Sequence, residues 1–166
     1  MGPWVVPEEM QSVFSATPRD WWRFRLALAL LYERTQQRSR YRAYVANLPA
    51  AFMGVPVFFN ATEVQGLQDS FLVEEVKSRC QFLLQFAQGD LAGMIERAFG
   101  GVAVDANALG WAMAGASSRA FFLDGEDSPP ELVPFIDMAN HNRHPNAKVA
   151  VLAARGGGGG SEEAAV

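Results

Sequence analysis

Residues 18 to 120 constrain this fold most, because apolar residues recur there at helical spacing and helix-start signals precede them. The first signal is Thr17, a capping hydroxyl followed by Pro18 at the first helical position and by Asp20 three residues after the cap. This pattern predicts a helix over residues 18–35. Its apolar stripe consists of Trp22, Leu26, Ala29 and Leu30, with Arg23, Arg34 and Gln37 off the stripe.

Further helix boundaries follow the same chemistry of caps and glycine stops. Asn60 is the predicted N-cap of a short helix that ends near Gln68, and Ser70 is the predicted N-cap of a longer helix. Gly89 and Gly100 are predicted to bracket a third helix, and Asp105 to cap a fourth. Each cap side chain can accept hydrogen bonds from the backbone N–H groups that the first helical turn leaves unpaired. The chain is therefore expected to be mainly helical up to about residue 120.

Two strands are predicted after the helical block, over residues 132–137 and 147–153. The first passes directly into a polar stretch, so that Asp137, Asn140 and His141 follow an apolar run within a few residues. A buried strand that ends this way delivers hydrogen-bonding groups to a site at its end. Together with the helices, these strands predict an α+β fold.

Composition narrows the class of protein. A chain of 166 residues with 49% hydrophobic and 19% charged residues can bury one core. A net charge of −4 argues against direct nucleic-acid binding, and no apolar run is long enough to span a membrane, so we expect a soluble intracellular protein. Cys80 is the single cysteine, which excludes an internal disulfide and a cysteine zinc site.

The motifs SSRAF, ending in Phe121, and PFIDMANH, ending in His141, resemble the SET-domain methyltransferases of the Rubisco large-subunit lysine methyltransferase type. Four more segments resemble, in order, the insert that divides the SET core of that family. They are LALLYER (28–34), YVANLP (44–49), FFN (58–60) and LQDS (67–70). The resemblance covers most of residues 5–152.

The resemblance implies a domain plan in which a large helical insert interrupts a partial SET β core. On this plan residues 1–17 end the N-terminal SET segment and residues 18–104 form the insert. Residues 105–155 carry the SET core with its Asn-His loop, and residues 156–166 are a flexible glycine-rich tail. The family's Gly-x-Gly loop is expected outside the chain and its channel tyrosine beyond Val166, so the domain is expected to be incomplete.

By the same resemblance the cofactor is S-adenosylmethionine and the partner is a protein substrate with a lysine, or in some relatives a histidine, as the methyl acceptor. Arg119 would bind the cofactor carboxylate, while Asn140 and His141 would hold its amino-acid end and its adenine side. Asp137 is expected to orient Arg119 or to hold the loop. No metal and no catalytic residue within the chain are implied, and Tyr32, Tyr41 and Tyr44 all lie in the insert and not at the channel position.

Other interpretations stay open. Arg119 could form an ion pair at a helix C-terminus without binding a cofactor. The chain could be a non-catalytic helical protein-interaction module or a degenerate SET remnant. Asp137, His141 and His144 could instead ligate a divalent ion in a metal-dependent hydrolase, although Pro145 disfavours helical geometry at His144. The oligomeric state and the compartment, whether plastid, cytosol or nucleus, are left open.

Overall fold

A computed structural model of the protein describes residues 5–123, 129–140 and 142–147. Seven α-helices lie in these residues: α1 Gln11–Ala16, α2 Trp22–Thr35, α3 Arg42–Ala46, α4 Ala61–Gly66, α5 Ser70–Gln88, α6 Asp90–Ala98 and α7 Ala106–Arg119. Three short 3-10 helices accompany them at Glu8–Met10, Pro56–Phe58 and Ile136–Met138. Two strands, β1 Ala120–Phe121 and β2 Glu131–Leu132, pair in antiparallel fashion.

The core lies around α2 and α7, which make the most extensive helix contact in the described chain. From α2 the core takes Phe24, Ala27, Leu28, Leu30 and Leu31, and from α7 it takes Leu109, Trp111 and Ala112. Gly115 of α7 faces Leu30 of α2, since a Cβ atom there would lie at ordinary van der Waals distance, 3.4 Å, from Leu30 Cδ2. The apolar stripe predicted for α2 is therefore only partly correct: Leu30 is buried, whereas Trp22, Leu26 and Ala29 are partly exposed.

The predicted start of α2 is also wrong. The helix begins at Trp22, and residues 18–21 form a turn in which the Trp21 N–H donates to the Pro18 carbonyl. The Thr17 hydroxyl does not cap α2, because it donates to the Val13 carbonyl of α1 at 2.7 Å. Thr17 therefore stabilises the end of the preceding helix.

The other cap predictions are close to the observed structure. Asn60 forms a complete capping box with Glu63 at the start of α4, and the Asp105 carboxylate accepts from the Ala108 N–H at 2.7 Å at the start of α7. The predicted Ser70 cap is wrong by one residue, because Asp69 accepts from the first N–H groups of α5. Helix α7 ends at Arg119, as the SSRAF motif led us to predict.

The remaining helices surround this pair. α5 packs on α7 and α6, α1 packs on α6, and α3 packs on α2. Helices on both sides of residue 104 thus share one core. Among the described residues, no helix is both long enough and apolar enough to cross a bilayer.

The strand predicted over residues 132–137 is mostly wrong. Only Leu132 belongs to β2, and residues 134–138 form a turn and a 3-10 helix. Phe135 has a φ of +73°, which no regular strand contains. The described structure is thus mainly helical with one small antiparallel sheet, which fits an α+β class. All but the first residue of the second predicted strand, and the whole glycine-rich tail up to Val166, lie outside the described residues.

Candidate functional site

Arg119 lies where α7 ends and β1 begins. A cation in the last turn of a helix is stabilised by the partial negative charge of the unpaired carbonyl groups there. The side chain of Arg119 is 19% exposed, so its guanidinium is largely buried. This position fits the sequence-based expectation that Arg119 closes an apolar helix.

Asp137 is the partner of this guanidinium. Arg119 Nη1 donates to Asp137 Oδ2 at 3.2 Å and to the Asp137 backbone carbonyl at 3.3 Å. The Asp137 side chain is 0% exposed. Because removing a carboxylate from water is costly, it is stable there only when paired and hydrogen-bonded. Asp137 and Arg119 are therefore paired, which fits both the expected orienting role of Asp137 and an ion pair at the helix C-terminus.

The backbone around Asp137 is held by its own hydrogen bonds. The Asp137 N–H donates to the Val133 carbonyl at 3.1 Å, and the Ala139 N–H donates to the Ile136 carbonyl at 3.0 Å. This tight turn, which replaces the predicted strand, directs the carboxylate inward. The chain leaves the turn toward Asn140.

Tyr44 of α3 is the third member of the cluster. Its hydroxyl donates to Asp137 Oδ2 at 2.8 Å. Burial, together with the hydrogen bond to Asp137, raises the pKa of Tyr44 above its ordinary value, so the phenol stays protonated and continues to donate. We call Tyr44, Arg119 and Asp137 the buried triad.

Sequence reasoning did not find Tyr44 as part of the site. The tyrosine is 93 residues from Asp137, and no local periodicity connects two positions so far apart. The only signal was its place in the YVANLP segment that resembles the family insert. That signal gave no reason to pair Tyr44 with Asp137.

Two atoms of the buried triad stay without a hydrogen-bond partner among the described residues, Arg119 Nε and Asp137 Oδ1. One is a donor on a cation and the other is an acceptor on an anion. Unpaired buried polar atoms are rare in folded proteins because each costs about 1–3 kcal/mol. Both atoms are inaccessible to solvent, so any partner for them would have to be enclosed by the protein.

The other predicted cofactor ligands are less well determined. Asn140 is exposed, three residues beyond Asp137. His141 lies outside the described residues. The structure thus brings together Arg119 and Asp137, while the contribution of Asn140 and His141 to one pocket stays a prediction.

The channel tyrosine that the resemblance implies also stays a prediction. It is expected beyond Val166, and the described part of the chain reaches only residue 147. Tyr44 does not fit the expected role of a channel tyrosine, because its hydroxyl is buried and donates to Asp137.

The metal alternative stays a prediction, because His141, one of its three ligands, lies outside the described residues. Asp137 is already bonded to Tyr44 and Arg119, and His144 is exposed, with its backbone N–H donating to Asn142 Oδ1 at 3.0 Å. No group of three potential ligands occurs among the side chains that the structure describes.

Three exposed apolar side chains flank the buried Asp137 along the chain. Phe135, Ile136 and Met138 flank Asp137 and are 70%, 42% and 44% exposed.

Comparison of the chain with protein-family models, curated proteins and solved structures finds no match in any of the three. The resemblance to SET methyltransferases therefore depends on the sequence motifs, and the activity it implies is a proposal.

Proposed function

We propose that the chain forms part of an S-adenosylmethionine-dependent protein-lysine N-methyltransferase of the SET type. The observation that carries the proposal is the buried pair of Arg119 and Asp137. It joins the SSRAF and PFIDMANH motifs in one hydrogen-bonded unit, although the two paired residues are 18 positions apart along the chain. The two motifs that suggested the family thus act together in space.

The chemistry of Arg119 and Asn140 agrees with the same proposal. The amino-acid end of the cofactor carries a carboxylate, which Arg119 could bind, and an ammonium group, which needs an acceptor such as the Asn140 amide oxygen. Binding at Arg119 and Asn140 would hold the cofactor in place. Its sulfonium supplies an activated methyl group when it is bound.

The chain's own residues would then serve for positioning. Tyr44 and Arg119 both donate to Asp137 Oδ2, which fixes the carboxylate and, through it, the start of the loop to Asn140. Alignment of this kind is the main contribution a protein makes to an in-line methyl transfer, in which no covalent enzyme intermediate is needed. We assign no base and no catalytic residue within the described chain.

The test is calorimetric titration of S-adenosylmethionine into the protein in its natural full length. We expect Asn140→Ala to weaken binding at least about tenfold, which corresponds to about 1.4 kcal/mol. Asn146→Ala, in the same exposed loop but outside the motif, is the matched control and should bind as the wild type does. Unchanged affinity in Asn140→Ala would remove Asn140 from the site, and no binding by the wild type would refute the proposal.

A non-catalytic protein-interaction module is the second candidate. The exposed side chains of Phe135, Ile136 and Met138 favour it, because an apolar surface can bind another protein without any chemistry. The calorimetric experiment separates the two candidates. A module of this kind would show no cofactor binding in either the wild type or the variants.

A further inference from the structure

The segment from Arg34 to Arg42 is the most basic part of the chain. It contains four arginines, at positions 34, 38, 40 and 42, out of 14 lysines and arginines in a protein of net charge −4. No acidic residue lies between them. Such a concentration of one sign of charge creates a local positive potential on an otherwise acidic protein.

A cavity of about 380 Å³ lies beside this segment. Its walls come from the end of α2, from α3 and the loop after it, and from Trp111 of α7. We call it the arginine cavity. Arg34 and Arg42 both line it, and Leu48 and Pro49 add apolar surface. The volume exceeds that of several water molecules, since each takes about 30 Å³ in the liquid, and it can accept one or two side chains.

The cationic groups of the arginine cavity are held in place by the protein. The Arg34 guanidinium lies over the Trp111 ring, 4.4 Å from its centroid, and Arg42 Nη1 donates to the Gln37 carbonyl at 2.9 Å. Stacking uses the face of a guanidinium and leaves the N–H groups at its edge able to donate. Trp111 is itself fixed by the hydrogen bond from its Nε1 to the Pro49 carbonyl, at 2.8 Å.

The charged side chains that line the cavity are two arginines and one glutamate, so their net charge is positive. Among the described residues, Arg34, Arg38 and Arg42 form no ion pair. The Glu33 carboxylate accepts a hydrogen bond from the Ser39 hydroxyl and keeps its negative charge, which lowers the positive potential of the cavity without cancelling it. The cavity thus offers preorganised cationic donors beside an apolar wall.

We propose that the arginine cavity binds an acidic peptide segment of a partner protein, with a glutamate or aspartate side chain inserted between Arg34 and Arg42. Carboxylates match the planar donor edge of arginine, and the apolar wall suits the aliphatic part of the peptide. A nucleic acid fits less well, because the protein as a whole is acidic and the Trp111 ring is buried beneath Arg34. The proposal does not depend on methyl transfer.

The test is fluorescence anisotropy of a fluorescein-labelled glutamate-rich peptide with the full chain at low salt. We expect saturable binding that weakens as salt is added, because exposed charges are screened. Arg34→Gln and Arg42→Gln should each weaken binding about fivefold or more, as loss of a charge-assisted contact does. Arg97→Gln is the matched control, since Arg97 also lies in the last turn of a helix, α6, and should leave affinity unchanged.

The same titration with a glutamine-substituted peptide should give no binding. This comparison uses the wild-type protein, so it shows whether the carboxylates of the peptide are recognised even if an arginine variant fails to fold. In parallel, ¹⁵N NMR should show the Trp111 indole N–H signal moving on addition of the glutamate peptide, with the signal assigned from Trp111→Phe.

Other results would overturn the proposal. Equal binding of the glutamine peptide would show that charge is not recognised, and unchanged affinity in the Arg34→Gln/Arg42→Gln double variant would place the site elsewhere. Free citrate that binds as tightly as the peptide would reduce the cavity to a small-anion site. Tighter binding of a single-stranded oligonucleotide through the same arginines would show that the site recognises a nucleic acid and not an acidic peptide.

Discussion

Replacing Tyr44 by phenylalanine removes one oxygen atom from the buried triad and keeps the ring. The lost hydroxyl donates to Asp137 Oδ2 at 2.8 Å, and the carboxylate it serves is completely buried. Asp137 Oδ1 already has no partner among the described residues. After the substitution, Arg119 is therefore the only described side chain that donates to this carboxylate.

The size of the effect follows from the charge on the acceptor. A hydrogen bond to a charged group contributes about 1.5–3 kcal/mol, whereas a bond between neutral groups contributes about 1 kcal/mol. We expect Tyr44→Phe to lower the free energy of unfolding by about 2 kcal/mol. For a chain of this size that corresponds to a decrease in Tm of about 4–8 °C.

Urea denaturation followed by circular dichroism measures this difference. Tyr41→Phe is the matched control, because Tyr41 lies three residues earlier and its side chain is partly exposed. We expect the control to change stability by less than about 0.5 kcal/mol, as is usual at the surface. If the two variants unfold at the same urea concentration, Tyr44 does not stabilise Asp137 and the reasoning is refuted.

The pH dependence provides a second measurement on the same pair. Burial and the bond to Asp137 raise the pKa of Tyr44 in the folded state, whereas an unfolded tyrosine ionises near its ordinary pKa of about 10. The stabilisation is complete below about pH 10 and is lost as the pH rises further, by up to about 1.4 kcal/mol per pH unit. The difference between the wild type and Tyr44→Phe should therefore shrink above about pH 10, and a constant difference would contradict the pKa shift.

Two further substitutions test the helical core. Leu109→Ala should lower the free energy of unfolding by about 2–5 kcal/mol, because Leu109 is 0% exposed and its truncation leaves a cavity. Leu84→Ala is the control, since this position is 59% exposed and the loss of stability there should be far smaller. Equal losses for the two variants in urea denaturation would argue against this core. Asp105→Ala should lower the free energy of unfolding by about 1 kcal/mol, because α7 loses its N-terminal cap. Asn107→Ala, at an exposed position in the first turn of the same helix, is the control and should leave the stability of the protein unchanged. If Asp105→Ala melts at the same temperature as the wild type, Asp105 does not stabilise α7 as a cap.

Local chemistry made several parts of the fold predictable. The caps at Asn60 and Asp105 and the end of α7 at Arg119 could be predicted because a cap side chain bonds backbone groups two or three residues away. The same local pattern was misleading at Thr17, because its hydroxyl had a competing acceptor in the helix before it. Local rules thus located helix ends where no neighbouring element competed.

The sequence by itself determined a mainly helical chain and drew attention to Arg119 and Asp137. Only the tertiary structure decided that residues 134–138 turn rather than extend, and that Tyr44 completes the buried triad from 93 residues away. The physical reason is that an apolar run can become either a strand or a turn, depending on what packs against it. A buried carboxylate takes its partners from whichever elements the fold brings within hydrogen-bond distance, whatever their separation along the chain.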